Sequence, residues 1–379
     1  MSVTICLAAK ALYYPNGGGH MWVYLNWALG LRSLGCRVIW LEGVWVGPKT
    51  PAHETLSYVV SLKRRLALYG LEECVALWSM SGEPLPQYVA RECLGREAFA
   101  DADLLLNLQY MMAPEMVRGF RRSALVDIDP GLLQTWMSRQ KLNVSPHDLY
   151  FTIGETVGQP RTRVPDVGLR WQYTPPCVAL DWWSPYRAQA EAPFTTITHW
   201  HMDEWEEEAG ELYSNDKRTG FLPFLDLPRH TKEPLELAIL LGAYDQDERG
   251  WLQERGWRVR DSHVVASTPK NYQSYIQESR GEFSCVKPSC VRMQNAWISD
   301  RTICYLASGK PAVVQHTGPS RFLPDSAGLF RFSDLDGAVR CLETASSDYE
   351  RHCALARALA EEYFDARKVV GRVLERALA

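Results

Sequence analysis

The chain has no apolar run that approaches the roughly 18 residues a membrane helix needs, which argues against integral membrane contact. Its start lacks a basic segment followed by a long apolar one. The first apolar run, Val3 to Ala9, is only strand length, so no export signal is expected and a cytoplasmic protein is. Charge of either sign is scarce in excess: the net value is −4, which gives no reason to invoke nucleic acid or an anionic surface. There is no G-x-G-x-x-G, no Walker lysine motif, no G-x-S-x-G and no H-E-x-x-H, so the short signatures of four common chemistries are missing. Repeats and low-complexity segments are missing too. Paired cysteines at zinc spacing are missing as well. Cys285 and Cys290 have four residues between them and no second pair elsewhere, while Cys6, Cys36, Cys304 and Cys341 lie inside apolar patterns as small hydrophobes.

What is present is ordinary globular material. Hydrophobic residues make up 46% of the 379 and charged residues 23%, enough for about two domains with their own cores. The 14 Trp and 17 Tyr suit either large cores or a cleft that stacks rings. The order of elements is more telling. Val3–Ala9 reads as a strand, His20–Leu34 as a helix closed by Gly35, and Arg37–Leu41 as a second strand, which is a βαβ opening. A helix is expected over His53–Tyr69. Further strands follow at Cys74–Trp78, Leu104–Leu108, Ala124–Ile128, Leu149–Ile153 and Trp171–Tyr173, with helical material such as Leu85–Leu94 between. Thr174-Pro-Pro176 breaks the pattern. A second βα series begins at Phe194–Thr198 and continues through Leu235–Leu241, Trp257–Val259 and Ala312–Val314, with helices at Asn271–Glu278 and Asp300–Ser308. The tail is helical over Leu335–Ala345, Asp348–Tyr363 and Asp365–Leu378. The expected fold class is α/β: two Rossmann-like doubly wound domains facing a cleft, residues 1–176 and 177–364, then a C-terminal helix, 365–379, that can return to the first domain.

Four stretches carry chemistry. Trp297 to Pro319 reads as a capped helix, a Gly309 turn, a short strand and a Gly318 loop. Ser299 or Asp300 can cap the helix, and Arg301 with Thr302 stands in its first turn. Free N–H groups, the dipole and a guanidinium all favour an anion there. Thr317 and Gly318 lie at the carboxyl end of the next strand, where open α/β sheets bind ligands. Gly17-Gly18-Gly19-His20 offers close backbone approach and an imidazole at a helix start, able to accept a proton near neutrality. Glu42 at the end of the second strand fits a ribose contact, but the glycines come too late after the first strand for dinucleotide binding. Asp127-Ile-Asp129 could hold a metal, initiate a turn at Pro130-Gly131 or orient a substrate. His199, His201 and Asp203 look like metal ligands with no fixed third partner, so a strand-end loop is the better reading. Lys217, Arg218, Lys270, Lys287 and Arg292 are loop cations of which one or two can reach a phosphate.

At these residues the chain resembles a GT-B glycosyltransferase of bacterial, nucleotide-sugar-dependent type. Gly19-His20 with the following helix, and Gly35-Cys-Arg-Val38, are similar to the first βαβ of that class. Trp297 to Pro311 is similar to its donor signature, although Ala296, Ile298 and Cys304 stand where the class uses other residues. Val126–Gly131, Tyr150–Glu155 and Ser299–Thr302 also resemble a bacterial group of glycosyltransferases. The resemblance implies transfer of a sugar from a nucleoside-diphosphate sugar, UDP or TDP, to a small-molecule or glycan acceptor. It implies no metal and no further cofactor. Gly18, Gly19, Lys217, Ser299, Asp300, Arg301, Thr302, Thr317 and Gly318 would hold the donor, and Glu155 the acceptor. His20 would be the base of an inverting reaction, with Asp127 and Asp129 beside it. A homodimer is left open. The alternatives are a non-catalytic GT-B-like binding protein and a NAD-dependent Rossmann oxidoreductase.

Overall fold

The computed structural model describes residues 3–47, 51–160, 162–208, 210–242, 245–325 and 327–379. The first domain is built on β1 (Thr4–Ala9), β2 (Arg37–Val44), β3 (Val75–Ser79), β4 (Leu104–Asn107), β5 (Ser123–Asp127), β6 (Leu149–Thr152) and β7 (Trp171–Tyr173). They form one parallel sheet in the order β3-β2-β1-β4-β5-β6-β7. The second domain opens with β8 (Phe194–His199). An antiparallel hairpin of β9 (Trp205–Glu208) and β10 (Glu211–Ser214) follows, then β11 (Leu235–Leu240), β12 (Arg258–Asp261), β13 (Gly281–Ser284), β14 (Ala312–Gln315) and β15 (Leu329–Phe332). Its sheet runs β12-β11-β8-β13-β14-β15. In each domain the strand order reverses beside the domain's first strand, at β1/β4 and at β8/β13. Crevices at such reversals receive ligands, because the connections leave the strand ends in opposite directions.

Residues Ile5 to Ala9 of β1 are all buried, as a parallel strand covered on both faces must be. The helix Gly18–Ser33 is buried almost all round, through Met21, Trp22, Tyr24, Leu25, Trp27, Ala28, Leu29 and Leu31. A helix apolar on every side needs cover on every side. The first sheet supplies one face and the second domain's helix Pro269–Glu278 another. The last helix, Ala366–Leu378, supplies a third. It buries Val369, Val370, Val373, Leu374 and Ala377. At Gly30 the two helices come so close that a Cβ would lie 2.9 Å from Ala366 Cβ. One apolar cluster therefore runs through Trp22, Trp183, Tyr272, Ile303 and Val370, tying both domains together on that side.

The stretch expected to be helical over Leu85–Leu94 holds only a single turn, Gln87–Ala90. Pro84 and Pro86 cannot lie inside a helix, and the chain then bends back so that Leu94 N bonds Val75 O. Strands β13 and β15, the helix Gln246–Glu254 and the acidic hairpin carry too little apolar pattern to be read from sequence. Among the described residues, no helix is long and apolar enough to cross a membrane.

Candidate functional site

The first domain contributes a cavity of about 560 Å³ at the carboxyl ends of its central strands. Ala9, Lys10 and Leu12 come from the end of β1, Glu42 and Gly43 from β2, Gln109 to Met111 from the loop after β4, and Ile128 and Asp129 from the loop after β5. His20 sits at the start of the helix Gly18–Ser33 and lines the same cavity. Its Nε2 meets Lys10 O at 2.7 Å. A carbonyl only accepts, so that nitrogen carries the proton and Nδ1 is left as the basic lone pair. Burial lowers the His20 pKa below the usual imidazole value, so the ring is neutral near pH 7. Tyr14 and Tyr24 hold the ring, with centroids at 4.7 and 5.2 Å.

Glu42 is fully buried against the cavity and accepts from Ala11 N and Trp40 Nε1. Burial pushes its carboxyl up to about 7, against those hydrogen bonds. Asp127 is also fully buried, but it does not line the cavity. It accepts from Gln134 Nε2 and Thr152 Oγ1, both at 2.7 Å, and from Asp129 N at 2.9 Å. This ties β5 to β6 and to the helix Leu132–Ser138, and burial raises its pKa to about 6. Asp129 faces the cavity and accepts from Tyr110 OH at 3.0 Å. The two carboxylates therefore divide the work: Asp127 fixes the strand end, and Asp129 is the one presented to the cleft.

The opposite wall is the β8/β13 reversal. Arg301, in the first turn of the helix Asp300–Ala307, turns its guanidinium inward. It donates to Glu282 Oε1 at 2.8 Å, Ile197 O at 3.0 Å and Ser284 Oγ at 2.7 Å. That pins the helix across β8 and β13. Lys217 lies beside it, 9% exposed, with Nζ donating to Cys285 O at 2.9 Å and standing 5.9 Å from the Trp297 ring centroid. Burial, then the neighbouring Arg301 charge, lowers the Lys217 pKa to about 7. Ser299 caps the helix by accepting from Arg301 N at 3.2 Å. Asp300 is raised to about 7 by burial, and Thr302 is buried behind it.

Thr317 and Gly318 brace the loop that carries Trp297. Thr317 Oγ1 donates to Trp297 O at 2.7 Å, and its carbonyl accepts from Ala296 N at 2.9 Å. Gln294 and Ala296 in that loop are left-handed, with φ of 50° and 54°, a costly conformation for residues with a Cβ that clusters at functional sites. The two walls face each other, joined where Asn295 Nδ2 donates to Pro130 O at 2.7 Å.

Direct contacts between the two domains include three groups that concern the expected site residues. At the first, Gly18 N donates to Ala266 O at 3.1 Å, and a Cβ on Gly18 would lie 2.3 Å from Thr268 O. Gly19 likewise presses on Tyr272. The close approach that these glycines permit is to the second domain. At the second, Glu155 accepts from Arg321 N, Phe322 N and Ser320 Oγ, clamping the loop after Gly318. At the third, Trp136 and Arg139 reach the β9–β10 hairpin through Glu206. Among the described residues, no group of three or more His, Cys, Asp or Glu side chains is placed to hold a metal ion.

By sequence, the chain matches no protein-family model and no curated protein. By structure it is similar over its whole length to solved proteins. An alpha-glucosyltransferase in complex with UDP and a 13-mer DNA gives a TM-score of 0.63 at 10% identity, with 100% of both chains covered. HepE of Anabaena, in complex with UDP and glucose, gives 0.55 at 11%, with 99% of each chain covered. Sucrose-phosphate synthase from Thermosynechococcus elongatus gives 0.55 at 12%, covering 99% of this chain and 98% of that one. The chain has the GT-B fold.

Within this GT-B frame several site residues carried no signal of their own. Gln109, Tyr24 and Trp136 line or support the cavity, but each looks like any other polar or aromatic residue. Gln109 was the most accessible of them, since it stands just past the end of a central strand. Glu206 lies in an acidic run that reads as solvated surface, yet it is 2% exposed.

Proposed function

We propose that this chain is a cytoplasmic, metal-independent glycosyltransferase that moves a sugar from a nucleoside-diphosphate sugar to a small-molecule acceptor. The second domain holds the donor and the first-domain cavity holds the acceptor. The observation that carries this reading is the buried charge at the β8/β13 reversal. Two cations, Lys217 and Arg301, lie together there; Arg301 is paired with Glu282, while Lys217 donates to Cys285 O and has no carboxylate partner among the described residues. A buried ammonium without a carboxylate partner is poised for an anion, and a diphosphate would restore the Lys217 charge. The whole-length likeness to UDP-bound glycosyltransferases supports the same assignment.

In the step, the acceptor oxygen attacks C1 of the sugar, and its proton goes to His20 Nδ1. The C1–O bond to the diphosphate breaks, and the electron pair leaves on the nucleoside diphosphate. Lys217, Arg301 and the N-terminus of the helix Asp300–Ala307 offset the charge that grows on that leaving group, where fixed positive groups help most. Asp129 orients the acceptor hydroxyl toward His20. An attack from the face opposite the leaving group inverts C1.

Thermal denaturation with UDP, TDP, GDP, CDP and NAD tests the reading. UDP or TDP should stabilise the wild type and fail to stabilise Lys217→Gln. Stabilisation by NAD alone would favour a dehydrogenase, and the absence of any nucleoside-diphosphate effect would sink the transferase.

A further inference from the structure

We infer that Glu42 is a positioning residue for His20, acting through the peptide group between Lys10 and Ala11. The role of His20 as base rests on the transferase reading, while the contact itself does not. A chain of hydrogen bonds runs through one amide. Glu42 accepts from Ala11 N at 2.9 Å through one oxygen and at 3.1 Å through the other. His20 Nε2 donates to Lys10 O at 2.7 Å. Lys10 C=O and Ala11 N–H are the two ends of the same peptide. A peptide is planar and trans, so those ends point opposite ways, and the carboxylate and the imidazole lie on opposite sides of it.

The amide lies beyond the sheet, because β1 ends at Ala9. Ala9 is the register partner of Glu42, so β2 sets the carboxyl beside the point where β1 stops. Trp40 Nε1 donates to Glu42 Oε1 at 2.8 Å and holds the carboxyl in place. The turn that follows is gripped as well: Arg65 donates to Tyr14 O at 3.1 Å and to Ala11 O at 3.4 Å. Both anchors are buried, with Glu42 1% and Arg65 9% exposed. A buried carboxyl is costly unless hydrogen bonds hold it, and the Ala11 N–H is one of those it holds here.

Fixing the plane of the amide fixes where Lys10 O points, and so which ring nitrogen carries the proton. Nε2 donates, and Nδ1 is left to take the proton of the acceptor hydroxyl. Hydrogen bonds in a chain also polarise one another, so the carboxyl on Ala11 N makes Lys10 O a better acceptor for the ring. In the step, the hydroxyl proton moves to Nδ1, the hydroxyl oxygen bonds C1, and the pair of the C1–O bond leaves on the diphosphate. The ring becomes positive, and its Nε2–H meets the polarised carbonyl. Glu42 takes no proton and touches no reacting atom.

The tautomer can be read directly. Nitrogen-15 spectra of histidine-labelled protein at about pH 8, where imidazoles are neutral, distinguish Nε2–H from Nδ1–H, and the His20 signal is the one lost in His20→Gln. The wild type should show Nε2–H alone. Glu42→Leu should show both tautomers and lose about tenfold in kcat, the scale of one lost hydrogen bond, with KM for the nucleotide sugar unchanged. Glu42→Gln, whose amide oxygen still accepts from Ala11 N, should keep the single tautomer and most of kcat. Should Glu42→Leu not fold, Glu42→Asp, which withdraws the carboxylate by one methylene, should show the mixture instead. A carboxyl that served stability alone would leave the tautomer where it was. A single Nε2–H tautomer in whichever of those two variants folds, or Nδ1–H in the wild type, overturns the inference, as does a mixture in Glu42→Gln or an unchanged kcat in an active enzyme. Mixed tautomers in the variant of a wild type that transfers no sugar defeat the transferase reading and leave the contact standing.

Discussion

Trp136 of the first domain donates its indole N–H to Glu206 of the second at 3.0 Å. The other Glu206 oxygen takes Arg139 at 2.9 Å. A residue that lines the first-domain cavity is thus suspended from a hairpin that belongs to the opposite domain. The packing of the two domains and the shape of this wall are thereby coupled, and in the proposed transferase the wall belongs to the acceptor. Glu206→Ala should raise the acceptor KM about tenfold, the scale of a lost hydrogen bond to a charged group, with UDP affinity unchanged. Glu206→Gln, which still accepts from the indole, should recover part of that loss. Initial rates over a range of acceptor concentrations measure both, and an unchanged KM in Glu206→Ala refutes the coupling.

His20 sets a second expectation. A positioned base contributes roughly 10²–10⁴-fold to rate, so His20→Ala should lose kcat on that scale with little change in UDP binding. Burial lowers the His20 pKa. The basic form is therefore complete at neutral pH, and kcat/KM should stay level there and fall only below the ordinary imidazole range. The product should carry the inverted anomer, read from its C1 proton coupling. A retained anomer would remove His20 from the role of base to the attacking hydroxyl.

In the proposed transferase, Lys217 should link donor binding to protons. Its pKa is lowered to about 7 by burial and by Arg301, so above neutrality the free protein holds it mostly neutral. A diphosphate beside it favours the ammonium, so UDP should bind with proton uptake and bind more weakly as pH rises. Calorimetry in buffers of different ionisation enthalpy reads the uptake directly. Lys217→Gln should abolish it and cost about 10- to 100-fold in UDP affinity.

The buried carboxyls set the stability profile. Glu42 is raised from 4.5 to about 7, Asp127 from 3.8 to about 6 and Asp300 from 3.8 to about 7, each chiefly by burial. Across that window the folded chain binds protons that the unfolded chain does not, so stability falls as pH rises. Denaturant unfolding should show less stability at about pH 7.5 than at about pH 5. Glu42→Gln should remove up to about 3 kcal/mol of that drop. An unchanged drop in the variant would show that Glu42 ionises freely.

The βα order was open to sequence reading because parallel strands buried on both faces are short apolar runs. Val3–Ala9 and Ala312–Val314 could be little else. The position of His20 and Asp129 at the cleft was legible for a related reason, since glycines and strand ends have local meaning, whereas Lys217, expected in a loop, is buried in the first turn of the helix Lys217–Phe221. The placement of Arg301 was not legible either. Its helix start looked ready for an anion, but which way the guanidinium turns depends on Glu282, a buried carboxylate 19 residues earlier. Gly18 and Gly19 announced a close approach without saying to what, and the partner turned out to be Thr268 and Tyr272.

By itself, then, the sequence determined the two-domain α/β plan and the strand ends at which a site must lie, because periodicity and capping act over a few residues. Only the tertiary structure decided what each side chain does there. Charge pairing, desolvation and cavity shape depend on neighbours far apart in the chain. The fold buries Asp127 as a brace and hangs Trp136 from Glu206. It also joins Glu42 to His20 through the Lys10–Ala11 peptide, and no local pattern encodes any of these three facts.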